Sequence, residues 1–373
     1  MKDTILFGDC KDTLSEFLPQ SARTCVTSPP YYGLRDYGTA TWVGGDPNCN
    51  HRRDTKVNPK NCITGHKNHD EMAGVGDAIY KTVCPKCGAI RQDSQIGLEE
   101  TPEEYIENLV NVFRSVRDVL TDDGTLWVNL GDSYYNYRPG KGQSYPKQSV
   151  SKTKQDLPDK CNKRGNKLEG LKEKDLIGIP WLFAFAMRND GWYLRQDIIW
   201  HKPNPMPESV RDRCTKSHEY IFLFSKNRKY HYDNEAIKEP AKDWGTRDRT
   251  NGKYHNEGTG LQPHSGLTKS YPTKNKRSVW SVTNKPYREA HFATYPPDLI
   301  EPCILAGSEK GDIILDPFMG AGTTAAVAKS LNRYYIGCEL NEDYGNLIQK
   351  RIQDYQPVNK VAQEPTINIL DII

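Results

Sequence analysis

Short apolar runs and amphipathic stretches alternate along most of this chain. Apolar runs at 4–10, 24–30 and 333–341 are typical of strands, and the run at 312–331 continues through a glycine turn into a helix pattern. The stretch 101–120 repeats apolar residues at helical spacing, behind an N-cap threonine and a first-turn proline. Strands that alternate with helices predict an α/β fold with a doubly wound, mostly parallel sheet.

The middle of the chain continues this pattern with shorter elements. A strand is predicted at 124–132, after a turn at "TDDG", and a helix at 179–191 that ends at its glycine. The runs "YLRQDIIWHKP" and "EYIFLFSKN" predict two antiparallel strands at an edge of the sheet. A last helix is predicted from Glu342 onward.

Breaks in the alternation predict the domain organisation. The α/β domain is assigned to four segments, 1–38, 99–137, 176–225 and 286–356. The remaining segments are predicted insertions and a tail, namely a Cys/His-rich insertion at 39–98, a basic flexible insertion at 138–175, a further insertion at 226–285 and a C-terminal tail at 357–373.

Charge is spread unevenly over the 373 residues, although the net charge is only +3. Residues 138–175 carry 11 Lys and Arg against 5 Asp and Glu, and residues 226–288 carry 14 against 6. Two basic segments on an otherwise acidic body indicate a face for a polyanion, most simply nucleic acid. Solvated loops are the alternative interpretation of each segment taken alone.

Hydrophobic content of 36%, with 7 tryptophans and 21 tyrosines, indicates a large folded core. The apolar run at 181–187 is too short to span a bilayer, and the first ten residues lack the apolar stretch of a signal peptide. We therefore expect a soluble cytoplasmic protein with no membrane partner.

Ten cysteines in such a chain do not suggest a disulfide framework. Cys49-x-His51 and Cys84-x-x-Cys87-Gly instead have the spacing of a zinc knuckle. We predict a structural zinc site with these four ligands, which would brace the insertion. Three further residues compete for the fourth position: Cys62, His66 and His69.

The glycine turn "LDPFMGAGTT" places Asp316 at the end of a strand, with Gly320 and Gly322 opening a helix. Glycines there let the backbone approach a ligand. Glu339 ends the next strand, at a spacing that suits a carboxylate accepting both hydroxyls of a ribose. Neither a pyrophosphate nor a triphosphate motif is present, so a nucleoside ligand without phosphates, such as S-adenosylmethionine, fits better.

The motifs "DPFMGAGTT" and "TSPPY" together resemble those of the DNA amino-methyltransferases, which methylate cytosine N4 or adenine N6. The order of the two motifs resembles the permuted beta group of that family, over roughly 1–36, 100–135, 176–225 and 278–350. The resemblance implies a permuted, Rossmann-like fold that uses S-adenosylmethionine. With the pattern above, it assigns cofactor binding to Asp9, Thr27, Tyr295, Asp316, Pro317, Phe318, Gly320, Gly322, Thr323 and Glu339.

The permutation also has a physical interpretation. After Glu339 and one helix the chain is too short to complete a doubly wound sheet. The strand "ILFGDC" can supply the missing neighbour, which would place Asp9 beside the strand of Glu339. Asp9 could then accept a hydrogen bond from the adenine amine of the cofactor, as the family resemblance also implies.

The tetrapeptide Ser28-Pro29-Pro30-Tyr31 is the predicted catalytic element. An exocyclic amine on a base is a poor nucleophile, because its lone pair is conjugated into the ring. The Ser28 hydroxyl and the Pro29 carbonyl can accept hydrogen bonds from both N–H groups of the amine, out of the ring plane. The prolines hold these acceptors rigid. Tyr31 can stack on the base, which must first be flipped out of the duplex.

Ser28 favours cytosine N4 over adenine N6, because the family resemblance associates serine with cytosine and Asp or Asn with adenine. A cytosine-C5 mechanism would need a thiolate, and the only Pro-Cys pair, at Cys303, lies in an apolar helix pattern that favours a core residue. A non-catalytic DNA-binding module of this fold, or an RNA or protein methyltransferase, are more remote alternatives.

Double-stranded DNA is the expected partner. We place target recognition in 226–285, and we expect 138–175 to order on DNA. Trp200, Lys202 and Asn204 would border the base pocket. The resemblance points to a bacterial or phage source and leaves open a homodimer and a cognate restriction endonuclease.

Overall fold

The structure, a computed structural model, describes residues 1–33, 39–51, 80, 82–135, 168–241, 272–284 and 294–355. Within these ranges the strands form an eight-stranded sheet and two small two-stranded sheets. The strands, in chain order, are β1 (Thr4–Phe7), β2 (Ala22–Thr27), β3 (Thr41–Val43), β4 (Ile90–Gln92), β5 (Leu120–Leu130), β6 (Tyr193–His201), β7 (His218–Ser225), β8 (Glu239–Pro240), β9 (Thr273–Lys274), β10 (Val279–Ser281), β11 (Ile313–Asp316) and β12 (Tyr334–Glu339).

Helices cover both faces of the large sheet. They are α1 (Cys10–Thr13), α2 (Pro102–Val119), α3 (Ile179–Asn189), α4 (Pro297–Gly307), α5 (Thr323–Ser330) and α6 (Tyr344–Asp354). Helix α2 begins with a capping box, in which Thr101 accepts from the Glu104 N–H and Glu104 accepts from the Thr101 N–H. Among the described helices, none has the length and apolar character needed to cross a membrane.

The large sheet has the order β1-β12-β11-β2-β5-β7-β6-β10. Strands β1, β12, β11, β2 and β5 are parallel, whereas β7 is antiparallel to both of its neighbours. Side chains alternate between the two faces. Cys25 and Leu126 pack in the core beneath α2 and α3, and Val26 and Trp127 pack in the core beneath α4 and α5. The doubly wound, mostly parallel α/β fold predicted from the sequence is therefore confirmed.

The permuted strand order is also present. Strand β1 pairs in parallel with β12, with Phe7 opposite Glu339, and the Gly8 N–H donates to the Glu339 carbonyl at 2.9 Å. The amino-terminal strand thus completes the sheet beside the last strand of the chain, which brings Asp9 to the carboxyl end beside Glu339.

Two details of the sheet differ from the prediction. Strands β6 and β7 are an antiparallel pair, but they are not at the edge, because β10 pairs in parallel outside β6 with Trp280 opposite Trp200. A three-residue strand is too short to show a periodic pattern, and it lies in the segment predicted as the 226–285 insertion. The predicted "TDDG" turn is instead part of β5, at a register shift opposite Arg23.

Candidate active site

A cavity of about 930 Å³ opens at the carboxyl ends of the parallel strands. This is the edge at which α/β sheets bind ligands. Most of the predicted catalytic and cofactor-binding residues line it: Asp9, Ser28, Pro29, Pro30, Tyr31, Tyr295, Pro317, Phe318, Gly320, Thr323 and Glu339. Thr27, Asp316 and Gly322 are not in its wall. Trp200, Lys202 and Asn204 line the same cavity, as predicted for the border of a base pocket.

Glu339 forms a buried acceptor in one half of the cavity. The Gly320 N–H donates to its Oε2 at 2.7 Å, and the Asn341 N–H donates to its Oε1 at 2.9 Å. Burial raises the pKa of Glu339 to about 7, although the backbone donors oppose this shift. The carboxyl group therefore titrates near neutrality, and its ionised form favours a ligand that brings further donors.

The two glycines of the turn have different surroundings. Gly320 has a φ of +53°, and the nearest atom to a side chain built there is the Phe318 carbonyl oxygen at 3.8 Å, so its backbone faces open space. A Cβ at Gly322 would lie 2.8 Å from Ile348, which is a contact between α5 and α6. Gly320 thus leaves room for a ligand, whereas Gly322 permits helix packing and has a φ of +80°.

Asp316 lies beneath the cavity wall and organises it. Its carboxylate accepts from the hydroxyls of Thr27 and Thr324, both at 2.5 Å, from Tyr295 at 3.1 Å and from the Phe318 N–H at 3.0 Å. Burial raises the pKa of Asp316. The structure therefore places Asp316 and Thr27 as supports of the glycine turn and of Tyr295, whose ring lines the cavity.

Asp9 approaches the same half of the cavity from β1. Its Oδ1 accepts from the Lys11 N–H at 2.9 Å and so caps helix α1. This bond fixes the carboxylate beside Gly8, Glu339 and Asn341, which line the cavity with it. The predicted adenine partner is thus at the wall and in a fixed orientation.

The tetrapeptide predicted to be catalytic, residues 28–31, lies in the other half, where β2 ends. The Ser28 hydroxyl is 3.5 Å from Asn129 Oδ1, and the Tyr105 hydroxyl donates to the Pro30 carbonyl at 2.8 Å. The Tyr31 ring packs against Gly131, where an added Cβ would lie 2.6 Å from the ring. Close backbone approach at Gly131 therefore fixes the plane of Tyr31 beside Ser28.

Three polar side chains around Tyr31 form a network. The Tyr31 hydroxyl is 2.8 Å from Glu219 Oε2 and 3.0 Å from Asn129 Oδ1. Glu219 also forms a partly buried ion pair with Lys202, across β6 and β7. The sequence analysis placed Lys202 at the pocket but did not find Asn129 and Glu219. Their local sequence patterns contain no signal of a contact with Tyr31, which lies 98 and 188 residues earlier in the chain.

Cys303 is a core residue, as expected. Its side chain is fully buried in α4, its thiol is 3.8 Å from the Leu299 carbonyl, and it does not line the cavity. Burial raises the pKa of this thiol, which disfavours the thiolate that a cytosine-C5 mechanism needs.

Comparison with known proteins agrees with this geometry. A family model described as DNA methylase, of the N6/N4 methyltransferases, matches residues 22–350. The Type II methyltransferase M.SmaI of Serratia marcescens is 40% identical over 353 residues, covering 93% of this chain and 90% of the relative. M.XycI of Xanthomonas campestris pv. cyanopsidis is 39% identical over 350 residues, covering 94% and 87%. The chain belongs to the DNA methylase family.

The fold of this methyltransferase has a counterpart among solved structures. The PvuII DNA methyltransferase (cytosine-N4-specific) superposes with a TM-score of 0.53 at 14% identity, covering 96% of this chain and 88% of that chain. The family, the Rossmann-like fold and S-adenosylmethionine as the cofactor, all predicted from the two motifs, are confirmed.

The predicted zinc ligands of the methyltransferase come together. One ligand atom each from Cys49, His51, Cys84 and Cys87 lies within 4.8 Å of the others. Backbone N–H groups of Ala89 and Asp46 lower the pKa of the Cys87 thiol, and Trp42 stacks on His51 with 4.3 Å between the ring centres. Three thiols and one imidazole are a typical donor set for structural zinc, so the cluster could hold this ion.

The competing residues Cys62, His66 and His69 lie outside the described residues, as do most of the segments 138–175 and 226–285 and the tail 357–373.

Proposed function

We propose that this chain is a Type II DNA methyltransferase that methylates the N4 amine of a flipped cytosine in a specific sequence of double-stranded DNA. The observation that carries the proposal is the position of Ser28. Its hydroxyl lies at the carboxyl end of β2, in the wall of the cavity that also contains Glu339 and Gly320. One cavity thus has an acceptor for an amine and a separate set of acceptors for a nucleoside.

S-adenosylmethionine, when bound, supplies a methyl group on a sulfonium sulfur. The residues of this chain fit it, because Glu339 and Asp9 are acceptors for ribose hydroxyls and an adenine amine, and Gly320 leaves the cavity open. In the proposed arrangement, Phe318 and Tyr295 cover the nucleoside and methionine ends. Asp316 and Thr27 keep the turn in place from below.

Ser28 and Pro29 act on the amine in this proposal. The Ser28 hydroxyl and the Pro29 carbonyl accept hydrogen bonds from the two N–H groups of the amine. Because these acceptors lie out of the ring plane, they localise the lone pair on nitrogen. Little reorganisation is needed, because the prolines fix φ and the Tyr105 hydroxyl fixes the Pro30 carbonyl. Tyr31 stacks on the flipped base, and Asn129 and Glu219 hold its hydroxyl end.

Other parts of the chain have supporting roles in the proposal. The segment 226–285 reads the target sequence, the basic segment 138–175 contacts the phosphate backbone, and zinc braces the insertion 39–98. The Type II names of M.SmaI and M.XycI support a cognate restriction endonuclease and a bacterial cytoplasm as the setting.

Transfer of labelled methyl groups to DNA, followed by nucleoside chromatography, tests the proposal. We expect the label in N4-methylcytosine, and label in N6-methyladenine or C5-methylcytosine would overturn the base assignment. Sequencing the methylated positions identifies the recognition site.

Ser28→Ala should lose at least about tenfold in kcat, since one preorganised acceptor is removed, and full activity would contradict the role of Ser28. Cys303→Ser is the control, because it should keep kcat within about twofold of wild type.

A further inference from the structure

The connection between β6 and β7 passes along the rim of the cavity, on the side of the catalytic tetrapeptide. It covers residues 202–217. Several of its side chains line the cavity: Lys202, Asn204, Met206, Glu208 and Lys216. Lys202 and Asn204 border the base pocket, whereas the part of the connection beyond them extends outward to the mouth of the cavity.

Met206 is unusual within this connection. It is 81% exposed, more than any other large apolar side chain in the described part of the chain. Scattered apolar side chains on a surface need no explanation, but this one is at the mouth of a ligand cavity. Pro205 and Pro207 flank it, and their rings fix φ on both sides. The backbone is therefore restricted from folding this side chain back onto the protein.

Contacts on both sides of Met206 hold the connection in place. Before it, Asn204 Oδ1 accepts from the Asn284 N–H at 3.0 Å, and Asn204 Nδ2 donates to the Asn284 carbonyl at 3.2 Å. After it, Glu208 pairs with Arg213 at 2.6 Å within the connection, and Arg213 in turn packs on the ring of Tyr134 outside it. A tip that is anchored at both ends can transmit force to a ligand, which a freely moving loop cannot.

Three basic residues follow Met206 in the same connection, at positions 211, 213 and 216, and Arg213 is paired with Glu208. Arg211 is exposed, and the Arg213 guanidinium lies 3.7 Å from the centre of the Tyr134 ring. Lys216 is half-buried in the cavity wall. Cations beside a protruding apolar side chain suit a polyanion whose interior is apolar, which is the case for a stacked nucleic-acid duplex.

We propose that Met206 is a wedge that enters the DNA duplex at the target base pair and occupies the space left by the extruded base. The thioether side chain packs against the neighbouring bases, and Arg211 and Lys216 contact the flanking phosphates. This inference rests on the proposed function, because a wedge has a role only if the base leaves the stack. Met206 would offset the cost of extrusion by stabilising the gap in the duplex, whereas the residues of the base pocket bind the extruded base.

Methyl transfer to two duplexes tests the wedge. Both carry the recognition site found by sequencing, one fully paired and one with an abasic site opposite the target base, where extrusion is easier. For Met206→Ala we expect kcat/KM to fall about 10- to 100-fold on the paired duplex and to stay within about threefold of wild type on the abasic duplex. KM for S-adenosylmethionine should not change. Met206→Leu should retain most activity, and Leu18→Ala, at a 63% exposed leucine away from the cavity, is the matched control.

Equal loss on both duplexes would assign Met206 a purely structural role and overturn the wedge. Wild-type activity of Met206→Ala on the paired duplex would also overturn it. A wild-type chain that methylates neither duplex overturns the proposed function and the wedge together, whereas selective failure of the variant supports both. The test uses whichever base wild type methylates, so a change of base assignment leaves it valid.

Discussion

The two halves of the cavity are built differently. In the half proposed to bind S-adenosylmethionine, called here the cofactor half, the acceptors Asp9 and Glu339 lie at the ends of adjacent parallel strands, and backbone N–H groups orient them. In the half proposed to bind the target base, called here the base half, Ser28 and Tyr31 follow a strand end as well, but the side chains that orient them come from β5 and β7. Backbone N–H groups therefore orient the acceptors Asp9 and Glu339 in the cofactor half, whereas side chains contact the Ser28 and Tyr31 hydroxyls in the base half.

This difference has a functional consequence. A cofactor common to a family needs one fixed set of acceptors, which strand ends and a glycine turn provide. A base pocket held by an exchangeable network can vary between enzymes without disturbing the sheet. Variants in the two halves should thus separate cofactor affinity from methyl transfer.

The largest effect is expected from Glu339→Ala in the cofactor half. This change removes the proposed acceptor of both ribose hydroxyls and leaves the Gly320 N–H without its partner. Each of the two hydrogen bonds to this charged group contributes about 1.5–3 kcal/mol, so we expect loss of both to weaken S-adenosylmethionine binding at least about 100-fold. Isothermal titration calorimetry measures this affinity. Glu342→Ala, at an exposed carboxylate three residues on, should bind like wild type, and wild-type affinity of Glu339→Ala would contradict the assignment.

Glu219→Ala should have the opposite signature in the base half. It removes one of the two acceptors near the Tyr31 hydroxyl, the other being Asn129, and it takes the ion-pair partner from Lys202 in a partly buried site. We expect kcat to fall about 10- to 100-fold, while the affinity for S-adenosylmethionine stays within about twofold. Single-turnover methyl transfer and calorimetry measure the two quantities.

Two further variants define the cause of that loss. Glu219→Gln keeps an acceptor for Tyr31 but not the charge opposite Lys202, so an intermediate kcat is expected. Asp190→Ala removes a carboxylate paired with Arg114 and should leave both quantities unchanged. Weakened cofactor binding in Glu219→Ala would show that the two halves are not separable.

A smaller effect is expected from pH, and it is confined to the cofactor half. Burial raises the pKa of Glu339 from 4.5 to about 7, and the ionised form is the better acceptor of ribose hydroxyls. S-adenosylmethionine should therefore bind about tenfold more tightly at pH 8 than at pH 6. Glu339→Gln controls for titration of the ligand itself and should reduce this dependence. An identical pH profile in the two proteins would contradict the raised pKa.

The same pKa shift predicts a change in stability without cofactor. The pKa of Glu339 is higher in the folded than in the unfolded protein, so protonation of Glu339 stabilises the folded state. This contribution to the free energy of unfolding is fully present below pH 4.5 and is lost as pH rises through about 7. The shift corresponds to about 3 kcal/mol at most. Relative to Glu339→Gln, the wild-type free energy of unfolding should therefore decrease over this range, as measured by urea denaturation.

The sequence predicted the cofactor half better than the base half, for a physical reason. Acids at strand ends and glycines in a turn are local signals, and the position of Asp9 followed from the strand that the sheet lacked. Glu219 and Asn129 act on Tyr31 through contacts that span 188 and 98 residues, which no local pattern contains. Gly320 and Gly322 belong to the same sequence motif, so the sequence did not show that Gly320 lies in the cavity wall whereas Gly322 contacts α6.

The smallest effect on either half is expected from loss of zinc. Cys84 is buried in the Cys/His cluster, and Cys84→Ser removes one of the four proposed ligands. Elemental analysis of protein purified without chelator should find about one zinc per wild-type chain and a large loss in Cys84→Ser. Affinity for S-adenosylmethionine should remain within about twofold, because Glu339, at the end of β12, and Gly320, in the turn after β11, lie outside the insertion.

Substitution of the competing ligands completes this last test. Cys62→Ser and His66→Ala should keep their zinc if Cys49, His51, Cys84 and Cys87 are the ligands. Loss of zinc in Cys62→Ser would replace one member of the proposed set. If the wild-type protein contains no zinc, the proposed metal site in the insertion is wrong. If cofactor binding is lost together with zinc, the insertion supports the cofactor half as well. The separation of the two halves therefore depends on the insertion acting only as a brace, which these variants measure directly.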